Sequence, residues 1–140
     1  MLDQLSSIQY LVSGVIIKQT IKSSIMKEFL FIFRRDVDTN EPQPSPEQMQ
    51  GIMKAWQDWM GGIAAQDKLV SSGNRLASEG KIIKPGNIVT NGPYVEIKET
   101  IGGYIMVKAN SLDEAAELAK ECPIFAINGN VEVRPVVPMD

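Results

Sequence analysis

The chain has 140 residues, 44% of them hydrophobic and 22% charged, a size and balance that suit one soluble globular domain. Its formal net charge is −3; an acidic chain with no long basic run is poorly equipped to grip a phosphate backbone, so no nucleic-acid partner is expected. It holds no histidine and a single cysteine, Cys122, which removes the usual near-neutral general base, an internal disulfide and a thiolate metal cluster.

One cysteine fits a reducing cytoplasm. Met1 to Ile25 differ in character from the rest of the chain. "IQYLVSGVII" is apolar but too short to span a bilayer, and Lys18 and Lys22 come after it rather than before, so neither a membrane segment nor a secretory signal is expected. Residues 1–25 are taken as an N-terminal extension, a weak amphipathic helix or a disordered arm, with the domain running over 26–140.

"KEFLFIFRRD" from Lys27 predicts a strand, and its continuous run Phe29 to Phe33 suits a central strand covered on both faces. The Pro-, Asp- and Asn-rich stretch after it is loop chemistry. Ser45, Pro46 and Gln48 then form a capping-box start for a helix ending near Lys68. Met49, Ile52, Met53, Trp56, Trp59, Met60 and Ile63 recur at steps of three and four, which places them on one core-facing side. Gly51, Gly61 and Gly62 weaken that helix and leave room for close packing on a sheet.

"SSGN" (Ser71 to Asn74) predicts a turn. Strands are expected over Leu76 to Ile83 and Ile88 to Thr90 around a turn at Lys84 to Asn87, then a second turn at Asn91-Gly92-Pro93, and a strong strand over Gly103 to Ala109. Ser111 and Glu114 predict a second capping box, opening a helix that Pro123 stops. "NVEVRPVV" supplies the last strand, with Pro135 marking an edge or an end. The order is βαββαβ, an α+β, ferredoxin-like arrangement on an antiparallel sheet.

Asn91-Gly92-Pro93-Tyr94, Glu96, Lys98-Glu99, Gly102-Gly103-Tyr104 and Ser111-Leu112-Asp113-Glu114-Ala115 together resemble the YCII-related family, in particular its DGPF branch. "MKEFLFIFR" is similar to that family's first strand, and the likeness runs from Met26 to about Pro135. The resemblance implies a dimeric α+β barrel in which two copies join sheet to sheet, with a cavity near the interface. Pairing also has a physical motive: both helices on one face would leave the other apolar face bare. The enzymatic relatives are thought to use a His–Asp pair. This chain lacks the histidine, and Asn91 stands where the branch has its first Asp.

Within this frame Glu96 is a candidate base, Tyr104 a hydrogen-bond donor to a carbonyl, and Asn91, Lys98 and Arg34 candidate contacts to a small, possibly anionic ligand. Each has a structural alternative: Asn91 in a turn, Glu96 and Lys98 as a solvated pair, Tyr104 as packing, Arg34 and Arg35 as a strand end. Trp56 and Trp59 suit the core better than a stacking platform. Asp36, Asp38 and Glu41 lack the pattern of a calcium loop, so no metal is expected, and no cofactor. Two functions remain: small-molecule binding or an accessory regulatory role as a homodimer, the branch being often linked with extracytoplasmic-function sigma factors, or a cofactor-free isomerase, lyase or monooxygenase acting on a small organic acid.

Overall fold

Alternation of large and half-covered side chains along one strand organises the domain. The computed structural model describes residues 4–12, 15–23, 25–36, 43–92 and 99–139, with backbone alone for 4–12, 15–23, 36 and 99. Along β3 (Lys27–Asp36), Phe29, Phe31 and Phe33 are 1%, 0% and 5% exposed, while Leu30 and Ile32 between them are only half-buried. The expected double covering is therefore single among the described residues: the phenylalanine face meets the helices, and no described helix packs on the opposite, open face. A pleated strand sends successive side chains to opposite faces, so one apolar run feeds both.

After β3 comes α1 (Pro46–Ala65), then β4 (Leu69–Arg75), a hairpin of β5 (Gly80–Lys84) and β6 (Ile88–Gly92), and β7 (Glu99–Ala109). α2 (Leu112–Ala119), a 3-10 helix (Pro123–Ile127) and β8 (Asn130–Pro135) complete the domain. The main sheet has the order β4-β7-β3-β8 with every pair antiparallel, the ferredoxin-like topology expected. β8 is an edge strand and ends at Pro135, which tolerates a missing ladder donor.

The core joins the phenylalanine face to Ile105, Val107 and Ala109 of β7, Ala115 and Ala119 of α2, and Ile63 of α1. Trp59 stacks near Phe31 at 6.3 Å between centroids, and Trp56 meets Phe33 edge-on at 4.9 Å. The Trp59 indole N–H also donates to the Leu118 carbonyl at 3.0 Å, tying α1 to the end of α2. Both tryptophans are thus partly buried and packed against the core, as their spacing predicts.

Several expectations need correction. The N-terminal stretch pairs Gln4–Val12 (β1) with Val15–Ser23 (β2) as an antiparallel hairpin, not a helix or disordered arm; the β-branched run Val15-Ile16-Ile17 favours extended backbone. α1 begins with the expected reciprocal cap between Ser45 and Gln48 but ends at Ala65, with Asp67 at φ 57°. Its methionine face is not uniformly core: Met53 is 55% exposed. "SSGN" lies inside β4, where two register shifts and Gly73 at φ 59° absorb it. Leu76 to Glu79 fall outside any strand, and Asn91 and Gly92 belong to β6, while Pro93, the third residue of the expected turn, lies outside the described residues. Ser111 caps α2 by accepting from the Glu114 N–H at 3.1 Å, but Glu114 does not reach back; its carboxylate accepts from Asn110 at 3.1 Å and sits 2.7 Å from Lys68 Nζ.

The helix glycines also behave differently. A Cβ at Gly51, Gly61 or Gly62 would meet nothing within 4 Å, so they permit no close approach and carry only the entropic cost of glycine. Gly61→Ala and Gly62→Ala are each expected to raise stability by about 0.5–1 kcal/mol, read as a higher urea midpoint with an unchanged slope.

The Glu114–Lys68 pair sets an acid dependence. The Lys68 ammonium, hydrogen-bonded to the Glu114 carboxylate, holds it below the ordinary carboxylate range against an opposing effect of burial. A depressed carboxylate contributes stability above its unfolded-state pKa and loses it as pH falls through the folded one. The urea midpoint is therefore expected to drop on acidification through that range, and to drop less steeply in Glu114→Gln.

Candidate site on the open sheet face

Strand register assembles the open face. Asn74 of β4 pairs with Tyr104 of β7, Tyr104 with Ile32 of β3, and Ile32 with Glu132 of β8, giving one row across all four strands. The next row on the same side is Ser71, Met106, Leu30 and Arg134. Its centre is apolar (Leu30, Ile32, Met106 and the Tyr104 ring) and its β8 border is charged.

Arg34 lies two residues beyond Ile32 along β3, so it shares that face. Its guanidinium donates to Glu132 at 3.2 Å, and Arg134 donates to the other carboxylate oxygen at 3.1 Å. The hydrogen bond from Arg134, joined by the charge of Arg34, holds Glu132 below the ordinary carboxylate range. Two guanidiniums share one carboxylate, so the border carries one surplus positive charge. Arg134 is the more open, at 67% exposed against 29% for Arg34. That arrangement can receive an anionic group while Glu132 fixes the geometry of both arginines.

On the other flank, the Tyr104 hydroxyl accepts from the Asn74 side-chain amide at 3.1 Å, which leaves its own proton available to donate. Gly73 makes this pairing possible. A Cβ there would lie 1.7 Å from the Tyr104 carbonyl oxygen, so only glycine lets β4 approach β7 beside the tyrosine.

The structure thus brings Arg34 and Tyr104 to one face and leaves Asn91 elsewhere. Asn91 sits on the β5–β6 hairpin opposite Lys81, whose ammonium donates to its side-chain oxygen at 3.3 Å. The two flank a wide-mouthed hollow of about 420 Å³ bordered by Glu79, Gly80 and Gly92. Glu96 and Lys98 lie outside the described residues, as do Asp38 and Glu41, and Asp36 is described by its backbone alone. No group of three or more His, Cys, Asp or Glu among the described residues could hold a metal ion. Cys122 is buried at 3% exposure, and burial pushes its thiol up to about 12, which keeps it a protonated, inert core residue.

Sequence reasoning missed Asn74, Glu132 and Arg134. The alternation in "NVEVRP" places Glu132 and Arg134 on one side of β8, but nothing local assigns that side to Arg34.

The YCII-related domain model matches residues 29–140. The chain belongs to the YCII-related family. That match takes in β4, β7, β8, both α-helices and all of β3 from Phe29 onward, and it agrees with the ferredoxin-like α+β barrel of the family. No curated protein matches the chain. Among the described residues no helix is long and apolar enough to cross a membrane.

Proposed function

We propose that this YCII-related chain is a small-molecule-binding or accessory protein of the cytoplasm that works as a homodimer, joined through the open sheet face. The observation that carries the reading is the composition of that face: an apolar centre of Leu30, Ile32, Met106 and Tyr104, bordered by the Arg34–Glu132–Arg134 cluster. An apolar sheet surface of this kind is stabilised when a copy of itself removes it from water. The charged border then supplies an anion contact at the rim of the contact zone.

The likeness of Asn91-Gly92-Pro93-Tyr94 to the DGPF motif supports placing the chain in that branch, and it extends the reading to a regulatory role beside a sigma factor. Residues 1–25 are assigned to an extension of the domain. Sedimentation over a wide concentration range is expected to give the mass of two chains; a single chain throughout would remove the sheet-face dimer. A thermal-shift panel of small carboxylic acids is expected to raise the melting temperature for at least one member, with the shift lost in Arg34→Gln. A panel that moves nothing would remove the ligand reading.

A second reading is favoured by one observation, the presence of Arg34 and Tyr104 on the same face. It makes the protein a cofactor-free isomerase, lyase or monooxygenase of a small organic acid, with Arg34 or Lys98 holding the anion, Tyr104 donating to a carbonyl and Glu96 removing the proton. Under this reading Glu96→Gln abolishes turnover of a bound acid and leaves its thermal shift in place; a bound acid that is never turned over leaves only the first reading.

A further inference from the structure

The Arg34–Glu132–Arg134 cluster is lopsided. Arg34 Nη2 donates to Glu132 Oε1 at 3.2 Å and Arg134 Nη1 donates to Oε2 at 3.1 Å, so a guanidinium engages each oxygen of the carboxylate. The side chains of Arg34 and Glu132 are 29% and 35% exposed, whereas that of Arg134 is 67% exposed. An incoming anion therefore meets Arg134 first, with the Glu132 carboxylate close behind it. Arginine presents its N–H donors as a fork, and the hydrogen bond to Glu132 takes up only the Nη1 end.

Charge limits what can bind. Two guanidiniums and one carboxylate leave a single surplus positive charge, which one carboxylate neutralises. A phosphate monoester, at about −1.5 to −2 near neutral pH, overshoots and is repelled by Glu132. Farther along the same face Lys108 stands opposite Glu28 in register and lies 3.7 Å from Asp67, so it lends no surplus.

Strand register decides what accompanies the carboxylate. Arg134 lies opposite Leu30, and Leu30 opposite Met106, both of them half-buried. Neighbouring strands stand about 4.8 Å apart, so the row from Arg134 to Met106 spans about 10 Å, room for one ring or one branched alkyl group beyond a carboxylate. β8 is an edge strand, so this row is open to approach from its charged end.

We propose that Glu132 is the selector of this site: by offsetting one of two arginine charges it tunes the border to an apolar monocarboxylic acid, aryl or branched-chain, held by Arg134 with its body over Leu30 and Met106. Phosphate esters are turned away. The proposal rests on the ligand reading above and narrows it. Glu132 is a positioning residue, acting through the charge and orientation of the two guanidiniums rather than by touching the acid.

The test is calorimetric titration of the full chain with phenylacetate, acetate and phenyl phosphate. Phenylacetate is expected to bind about tenfold tighter than acetate, from burial of its ring, and tighter than phenyl phosphate. Arg134→Gln is expected to weaken phenylacetate about tenfold. Glu132→Gln and Glu132→Ala are each expected to shift the preference towards phenyl phosphate by roughly threefold or more, the effect of removing one nearby negative charge at a wet surface; Glu132→Asp keeps the native preference. Phenyl phosphate bound by the native protein as tightly as phenylacetate, a preference unmoved in both neutral Glu132 variants, or an undiminished affinity in Arg134→Gln overturns the selector and leaves the ligand reading standing. If none of the three compounds binds, the selector falls, and the ligand reading falls with it only when the wider panel of carboxylic acids is silent too.

Discussion

Replacing Phe31 with alanine is expected to cost about 3–5 kcal/mol of stability. The side chain is fully buried at the centre of β3, the strand that pairs with both β7 and β8. It packs between the sheet and α1, where its ring stacks near Trp59. Truncation removes apolar area from the core and also leaves a void that the rigid sheet cannot close. A loss of this size is a large part of the about 5–15 kcal/mol that holds a domain of ordinary stability. Urea denaturation followed by circular dichroism checks it. A loss below about 1 kcal/mol would mean that α1 settles into the gap. Leu30→Ala is the natural comparison: its side chain lies one residue away on the half-buried face, so its effect in a single chain is smaller.

Gly73→Ala is expected to destabilise the protein by about 3 kcal/mol or more, through a different mechanism. Gly73 occupies left-handed backbone at φ 59°, and an added Cβ would fall 1.7 Å from the Tyr104 carbonyl oxygen and 2.7 Å from its carbonyl carbon. Neither atom belongs to a flexible side chain, so β4 has to move away from β7. The displacement separates Asn74 from the Tyr104 hydroxyl, and the open face changes together with the stability. Thermal melting measures the first effect. The second appears as altered ligand response or altered self-association of protein that remains folded. A variant that melts with the native protein would show that the strand pair relaxes without strain.

β3, α1, β7, α2 and β8, the cap at Ser45 and the packing role of Trp56 and Trp59 were legible because each has a local signature: a short apolar run, a hydroxyl three residues before its partner, a proline at the first helical position, or apolar side chains at helical spacing. β4 was not. Ser71 to Asn74 carry turn chemistry, and only pairing with the distant β7 holds them extended, with two register shifts taking up the mismatch. Tertiary pairing overrode a correct local preference. Arg34 and Tyr104 could be named from sequence, yet their sharing of a face with Glu132, Arg134 and Asn74 depends on the register of four strands. Asn91 could be named too, and the hairpin carries it to a separate sheet.

The two tryptophans have a practical consequence. Both rings are lodged between α1 and the phenylalanine side of the sheet, 5.7 Å apart. Their intrinsic emission therefore reports whether that helix is docked and stays blind to events across the sheet. A compound that raises the melting temperature without changing native emission is acting on the far side; one that quenches native emission has disturbed the helix itself.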